Sequence, residues 1–157
     1  MMTSNGVLLH EFYTAFAKAD ADRMSACYHS EVVFTDPAFG ELKGRDVEMM
    51  WRMLIKRSKG NLKITFRNVH ADEKNGTVDW IAEYVYGGTG RKVVNTIHAS
   101  FEFMDGKIIR HNDQFDLWAW TRQALGWKGF LLGWTPFMKA KIQKQTNKLL
   151  KAFKEKN

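Results

Sequence analysis

The stretch "IIRHNDQF" at 108–115 places titratable groups where a core is expected. Side chains alternate along a β-strand, so Ile109, His111, Asp113 and Phe115 share one face. His111 and Asp113 would lie about 7 Å apart at Cα, near enough to touch or to hold one ligand. An imidazole beside a carboxylate suits general acid–base chemistry. Asp36 is a second candidate, because Pro37 follows it. Proline holds the preceding residue extended and so fixes the direction of its side chain. In an apolar pocket a carboxyl has a raised pKa and exchanges protons near neutral pH. Both motifs also have plainer readings. "DP" can be an Asx turn closing a strand, and His111–Asp113 can be a buried pair that satisfies itself.

His-x-Asp is also part of a facial-triad metal site, but that site needs a later histidine and none follows His111. The expectation is no metal and no cofactor. His10, His29, His70 and His98 are scattered, and "GGTGRK" joins two strands rather than cradling a phosphate. Cys27 is the only cysteine, which excludes an internal disulfide and points to a core residue.

The elements that must position these groups follow from periodicity. Leu8, Leu9, Phe12 and Phe16 recur at helical spacing and predict a helix over 5–19. "ADADR" breaks it and starts a second, over 22–29, capped by Asp22. A short strand ends at Pro37. Val47, Met50, Trp51, Leu54 and Ile55 form the apolar stripe of a helix over 45–58. The period then becomes two, with strands at about 61–72, 76–87, 91–104 and 107–117 joined by the turns "EKNG", "GGTG" and "MDGK". Helices followed by an antiparallel meander define an α+β domain with its helices on one sheet face. Residues 118–135 are tryptophan-rich helix and loop. Pro136 opens a last helix whose apolar face is Met138, Ile142, Leu149 and Phe153.

The chain has 157 residues and a net charge of +7, with 45% hydrophobic side chains. That suffices for one folded domain. Residues 139–157 hold seven lysines and one glutamate, so the rest of the chain is nearly neutral. No basic nucleic-acid face is expected on it. The N-terminus lacks the basic start and apolar run of a signal peptide, and the expected location is the cytoplasm. Three readings suit the tail: contact with an acidic membrane surface, with "GFLLGW" dipping into lipid; contact with an acidic partner; or packing of its stripe on the body with its lysines solvated. The last is the expectation.

"AFAKADADRMSACYHSEVVFTDPAFGELKG" resembles the helix–helix–strand opening of ketosteroid isomerases and SnoaL-like polyketide cyclases, within the NTF2-like superfamily. "GRKVVNTIHASFEFMDGKIIRHNDQFD" is similar to the last hairpin of the same families, and "RQALG" to a SnoaL-like ending. The resemblance covers about residues 7–126 and is nearest to an uncharacterised SnoaL-like group. It implies a curved antiparallel sheet wrapped as a cone around the N-terminal helices, a domain over 1–126, and a C-terminal extension over 127–157 packed on it. The concave face would carry His111, Asp113 and Phe115 together with Trp80, Ala82, Tyr84, Tyr86, Ile97, Ala99 and Phe101, around an apolar pocket.

Asp36 falls where ketosteroid isomerases keep their general base. SnoaL-like cyclases and limonene-type epoxide hydrolases place a working acid on the last strand, as Asp113 would be. The two isomerase hydrogen-bond donors are replaced by Phe12 and Ala99, and Tyr13 lies about 100° round the helix from Phe12. A steroid isomerase of that type is therefore disfavoured. The resemblance implies a pocket for a small apolar molecule, gripped by Phe12, Trp80, Tyr84, Tyr86, Phe101 and Phe115. Asp36 or Asp113 would move a proton and His111 would tune it. The alternative is a binding module without catalysis. Relatives commonly dimerise through the convex sheet face, so a homodimer is expected there.

Overall fold

Two side-chain caps start the helices. Thr3 accepts the Gly6 amide and opens α1 (Ser4–Ala17), and Asp20 accepts that of Arg23 and opens α2 (Ala21–Ala26). Each cap satisfies a donor that the first turn leaves without a partner. Asp22, the expected cap, instead pairs with Arg52 at 2.5 Å. The second helix is shorter than expected, because Tyr28 already belongs to β1 (Tyr28–Asp36), where it pairs with Ile108. A turn after Asp36 leads to β2 (Gly40–Lys43), a short return strand with no periodic signal of its own, and then to α3 (Arg45–Ser58). The meander follows as β3 (Lys63–Ala71), β4 (Asn75–Val85), β5 (Lys92–Met104) and β6 (Lys107–Gln114). The computed structural model describes residues 1–157.

These strands form one six-stranded sheet in the order β2-β1-β6-β5-β4-β3. Neighbours are antiparallel except β1 and β6, which run parallel. The expectation of a wholly antiparallel sheet is corrected at that pair. Tight turns dictate direction within the meander and between β1 and β2. No turn joins β1 to β6, so their relative direction is a tertiary outcome. The fold is the NTF2-like α+β cone, with an added C-terminal helix.

The concave face is buried against α1 and α3. Leu9, Phe12, Tyr13 and Phe16 of α1 and Val47, Met50 and Trp51 of α3 meet Phe34, Ile64, Val78, Trp80, Ile97, Ala99 and Phe101 of the sheet in one continuous core. Each large side chain buried in this way contributes about 1.5–3 kcal/mol. A shift in the β5–β6 register near Phe103 breaks strand parity. Ile108 is therefore buried in place of Ile109, which was expected inward and is half-buried. Beyond the bulge parity holds, and His111 and Asp113 point into the cone. On the outer face, polar side chains pair across neighbouring strands, His98 with Asp79 at 2.6 Å and Arg110 with Glu102 at 3.0 Å.

The chain ends in α4 (Leu117–Leu125), α5 (Trp127–Leu132) and α6 (Pro136–Lys156). Thr135 caps α6 and Pro136 occupies its first turn, where no amide donor is needed. α6 lies along α3, and Lys154 pairs with Asp46 at 2.5 Å. Its buried residues are Met138, Ile142 and Leu150. Leu149, expected on this face, points outward, because 138, 142, 146 and 150 form the i+4 row that meets the body. Leu150→Ala should therefore cost about 2–5 kcal/mol in urea unfolding. Leu149→Ala should stay within about 1 kcal/mol of the parent.

Candidate active site

The parallel pairing of β1 with β6 builds the site. Phe34 lies opposite His111 and Thr35 opposite Asn112, so the next step along both strands sets Asp36 beside Asp113. Adjacent strands are about 4.8 Å apart, which makes these two carboxylates neighbours on the concave side.

His111 and Asp113 sit in a directed chain of hydrogen bonds. Trp51 Nε1 donates to Tyr28 Oη at 2.9 Å, and Tyr28 Oη lies 2.7 Å from His111 Nδ1. His111 Nε2 lies 3.0 Å from Asp113 Oδ1, which also accepts Trp80 Nε1 at 3.2 Å. Both ring nitrogens of His111 are thus engaged, Nδ1 by Tyr28 and Nε2 by Asp113. His111 is 1% exposed and Asp113 2%. Polar groups at that depth must be paired, and this chain pairs them. Phe101, Phe34 and Phe12 surround the imidazole at centroid distances of 4.5, 5.0 and 5.7 Å, and Trp51 stacks on it at 6.0 Å.

Asp36 is half-buried at the end of β1. Its Oδ1 accepts the Ala38 amide at 2.9 Å and the Phe39 amide at 2.6 Å, the Asx-turn geometry that Pro37 invites. Burial pushes its pKa up to about 7. The Phe39 and Ala38 amides oppose that shift, and the Asp113 charge adds to it. The turn is held from outside by α6. Gln143 donates to the Pro37 carbonyl at 3.0 Å, Thr146 to Ala38 at 2.8 Å and Asn147 to Phe39 at 2.8 Å. The C-terminal extension thus clamps the turn that aims Asp36.

Tyr84 stands on the Asp36 side of the cone. Its hydroxyl accepts Trp120 Nε1 at 2.5 Å. Burial raises its pKa against that hydrogen bond, and Tyr86 and Asp36 add to the rise. Tyr13 is fully buried, with its ring stacked on Phe66 at 5.5 Å and tilted against Trp80 at 5.8 Å. Burial holds its hydroxyl well above the usual phenol range, with Asp113 the next cause. It is the one buried side-chain polar atom in the protein with no hydrogen-bond partner. Its place about 100° from Phe12 was expected to take it away from the site. The sheet curves far enough around α1 to face both residues.

The structure brings together Asp36, His111, Asp113, Phe12, Trp80, Phe101 and Tyr84. Phe115 is half-buried just past β6, and Tyr86 lies against Trp120 at 5.5 Å beyond the end of β4. Two surface depressions lie elsewhere, about 190 Å³ beside Arg67 and Asp79 and about 470 Å³ beside Val69 and Asp72. Tyr28 and Trp51 escaped sequence reasoning, one hidden in an expected helix and the other in an ordinary apolar stripe. No three His, Cys, Asp or Glu side chains converge as metal ligands. Cys27 is buried, its thiol pushed up to about 11 mainly by that burial.

A SnoaL-like domain model matches residues 9–111, and the chain belongs to that family. Several solved structures share the fold. A Mycobacterium tuberculosis LEH-like epoxide hydrolase is 21% identical with a TM-score of 0.61, over 84% of this chain and 92% of that one. A putative polyketide cyclase from Xanthomonas campestris is also 21% identical with a TM-score of 0.61, over 76% and 95%. Bal32a, from a soil-derived mobile gene cassette, is 20% identical with a TM-score of 0.68, over 76% and 95%. No curated protein matches the sequence.

Tyr28→Phe leaves the Trp51 indole and one face of the imidazole unpartnered, so it should cost about 1–3 kcal/mol in chemical denaturation. The raised carboxyl of Asp36 carries a pH signature. Its folded pKa lies above the unfolded 3.8, so its contribution is complete below pH 4 and is lost as pH rises through about 7. Asp36→Asn keeps the turn acceptor but not the charge. It should melt above the parent at pH 8 and level with it at pH 4, as read by calorimetry.

Proposed function

We propose that the cone takes up a small, largely apolar molecule and that Asp36 moves a proton on it. The observation that carries this reading is the β1–β6 register, Phe34 opposite His111 and Thr35 opposite Asn112, whose next step brings Asp36 towards Asp113, with Asp36 near 7. Asp36, half-buried at the strand end, is the carboxyl placed to exchange protons, and Asp113 lies deeper in the cone. Asp36 stands at the strand end with Oδ1 committed to its turn, which leaves Oδ2 for the ligand. Asp113 is 2% exposed and lies behind Asp36, so in this reading the Tyr28–His111–Asp113 chain positions and polarises rather than reacts. Half-buried Tyr84, Tyr86 and Phe115 would supply the apolar grip, backed by buried Trp80, Phe12 and Phe101. The Tyr13 hydroxyl has no partner in the chain and would donate to a ligand oxygen. The class is cofactor-independent acid–base chemistry, of the isomerase, cyclase, dehydratase or epoxide hydrolase type. The putative polyketide cyclase and the LEH-like epoxide hydrolase with the same fold support it. The Asx turn favours a second reading, binding without turnover, because such a turn occupies one Asp36 oxygen with no reaction at all.

Mass spectrometry of small molecules that co-purify with the protein identifies the ligand. With that compound, turnover should rise with pH through about 7 where Asp36 acts as a base. Asp36→Asn should lose about 100-fold or more in kcat while still binding. Unchanged turnover in Asp36→Asn rejects the assignment, and tight binding with no turnover in the parent selects the binding module.

A further inference from the structure

α5 is built inside out. Gly129 faces α4 so closely that an added Cβ would collide with the Thr121 carbonyl, and one on Gly133 would collide with the Thr121 hydroxyl. Small residues therefore form the inner face of this segment, and its bulky apolar residues point to solvent. Trp127, Phe130, Leu131, Leu132, Trp134 and Phe137 are between 51% and 74% exposed. The segment is fastened in this pose, since Trp118 Nε1 donates to the Phe130 carbonyl at 3.1 Å and Trp134 Nε1 to Leu131 at 3.1 Å. Isolated surface apolar residues need no explanation, but six large ones within eleven positions form a patch.

The charge lies beside it. Residues 127–157 hold eight lysines and one glutamate, and the other 126 residues balance sixteen basic against sixteen acidic side chains. The whole net charge of +7 therefore belongs to the segment that carries the patch. Met138, Ile142 and Leu150 fix which side of α6 meets the body. At about 100° per residue, Phe137, Lys141, Lys144, Lys148 and Lys151 fall on the opposite side. They form an outward basic stripe, with about 15 Å between Lys141 and Lys151, that begins at exposed Phe137, directly after the aromatic segment in the chain. A second copy of the chain seated here would bring +7 against +7. An acidic surface with an apolar interior matches both halves.

We propose that the α5–α6 face binds the surface of an anionic phospholipid bilayer. Trp127, Phe130, Leu131 and Trp134 enter the headgroup–acyl boundary and the α6 lysines lie over the lipid phosphates. Tryptophan suits that depth because its ring is apolar and its N–H polar. No helix is long and apolar enough to cross the membrane, so the contact is peripheral. It is independent of what the cone holds.

The test is co-sedimentation of the full chain with equimolar phosphatidylglycerol and phosphatidylcholine vesicles, against pure phosphatidylcholine. The expected result is binding to the anionic vesicles only, weakening as salt is raised. Phe130→Glu with Trp134→Glu, and separately Lys141→Glu with Lys148→Glu, should each weaken binding roughly tenfold or more, each added charge acting at the lipid surface. All four sites are exposed, so melting temperatures should stay within about 3 °C of the parent. Binding to neither vesicle, or equally to both, overturns the proposal. So does a dimer in sedimentation equilibrium that Phe130→Glu dissolves, which would give the face to a second copy.

Discussion

An imidazole and a carboxylate lie at the bottom of an aromatic cone, and the arrangement around them follows from the need to pair them. Unpaired polar groups at that depth would cost several kcal/mol. The pairing draws on four elements: Trp51 from α3, Tyr28 from β1, His111 and Asp113 from β6, and Trp80 from β4. Trp51 must reach the Tyr28 hydroxyl, which constrains how α3 sits on the sheet. The chain also orients the imidazole, with Nδ1 towards Tyr28 and Nε2 towards Asp113. A buried polar network specifies its surroundings in a way apolar packing alone does not.

The site stands one strand away from that network. β1 runs beside β6, and their parallel register brings the half-buried carboxylate of Asp36 next to the buried one of Asp113. The turn after Asp36 has little core of its own. Gln143, Thr146 and Asn147 hold three consecutive carbonyls of that turn from α6. The C-terminal extension, which could be mistaken for an appendage, is therefore part of what aims the candidate base.

The same extension shows the opposite design one helix earlier. α6 buries an apolar row and exposes lysines, as a surface helix should. α5 does the reverse, because Gly129 and Gly133 allow its backbone to lie directly on Thr121. Where the backbone itself is the packing surface, no large side chain fits underneath, and the aromatic residues have only solvent to face.

The sequence by itself determined the meander, the helices before it, the terminal helix and the inward parity of His111 and Asp113. All of these follow from local period and turn chemistry, which a short window contains. The family was legible in the opening and closing segments. The direction of β1 against β6 was not, because no turn links them. Tyr28 was hidden by an apparent helical run that pairing with Ile108 overrides, and Leu150 replaced Leu149 because the partner surface chose the row. The bulge near Phe103 exchanged Ile109 for Ile108, since a one-residue slip reverses every face before it. Tyr13 entered the site because sheet curvature, a property of all six strands together, decides how much of α1 is enclosed. Local spacing determines which residues share a face. Only the tertiary structure decides what that face meets, because burial and hydrogen-bond satisfaction are settled among residues far apart in the chain.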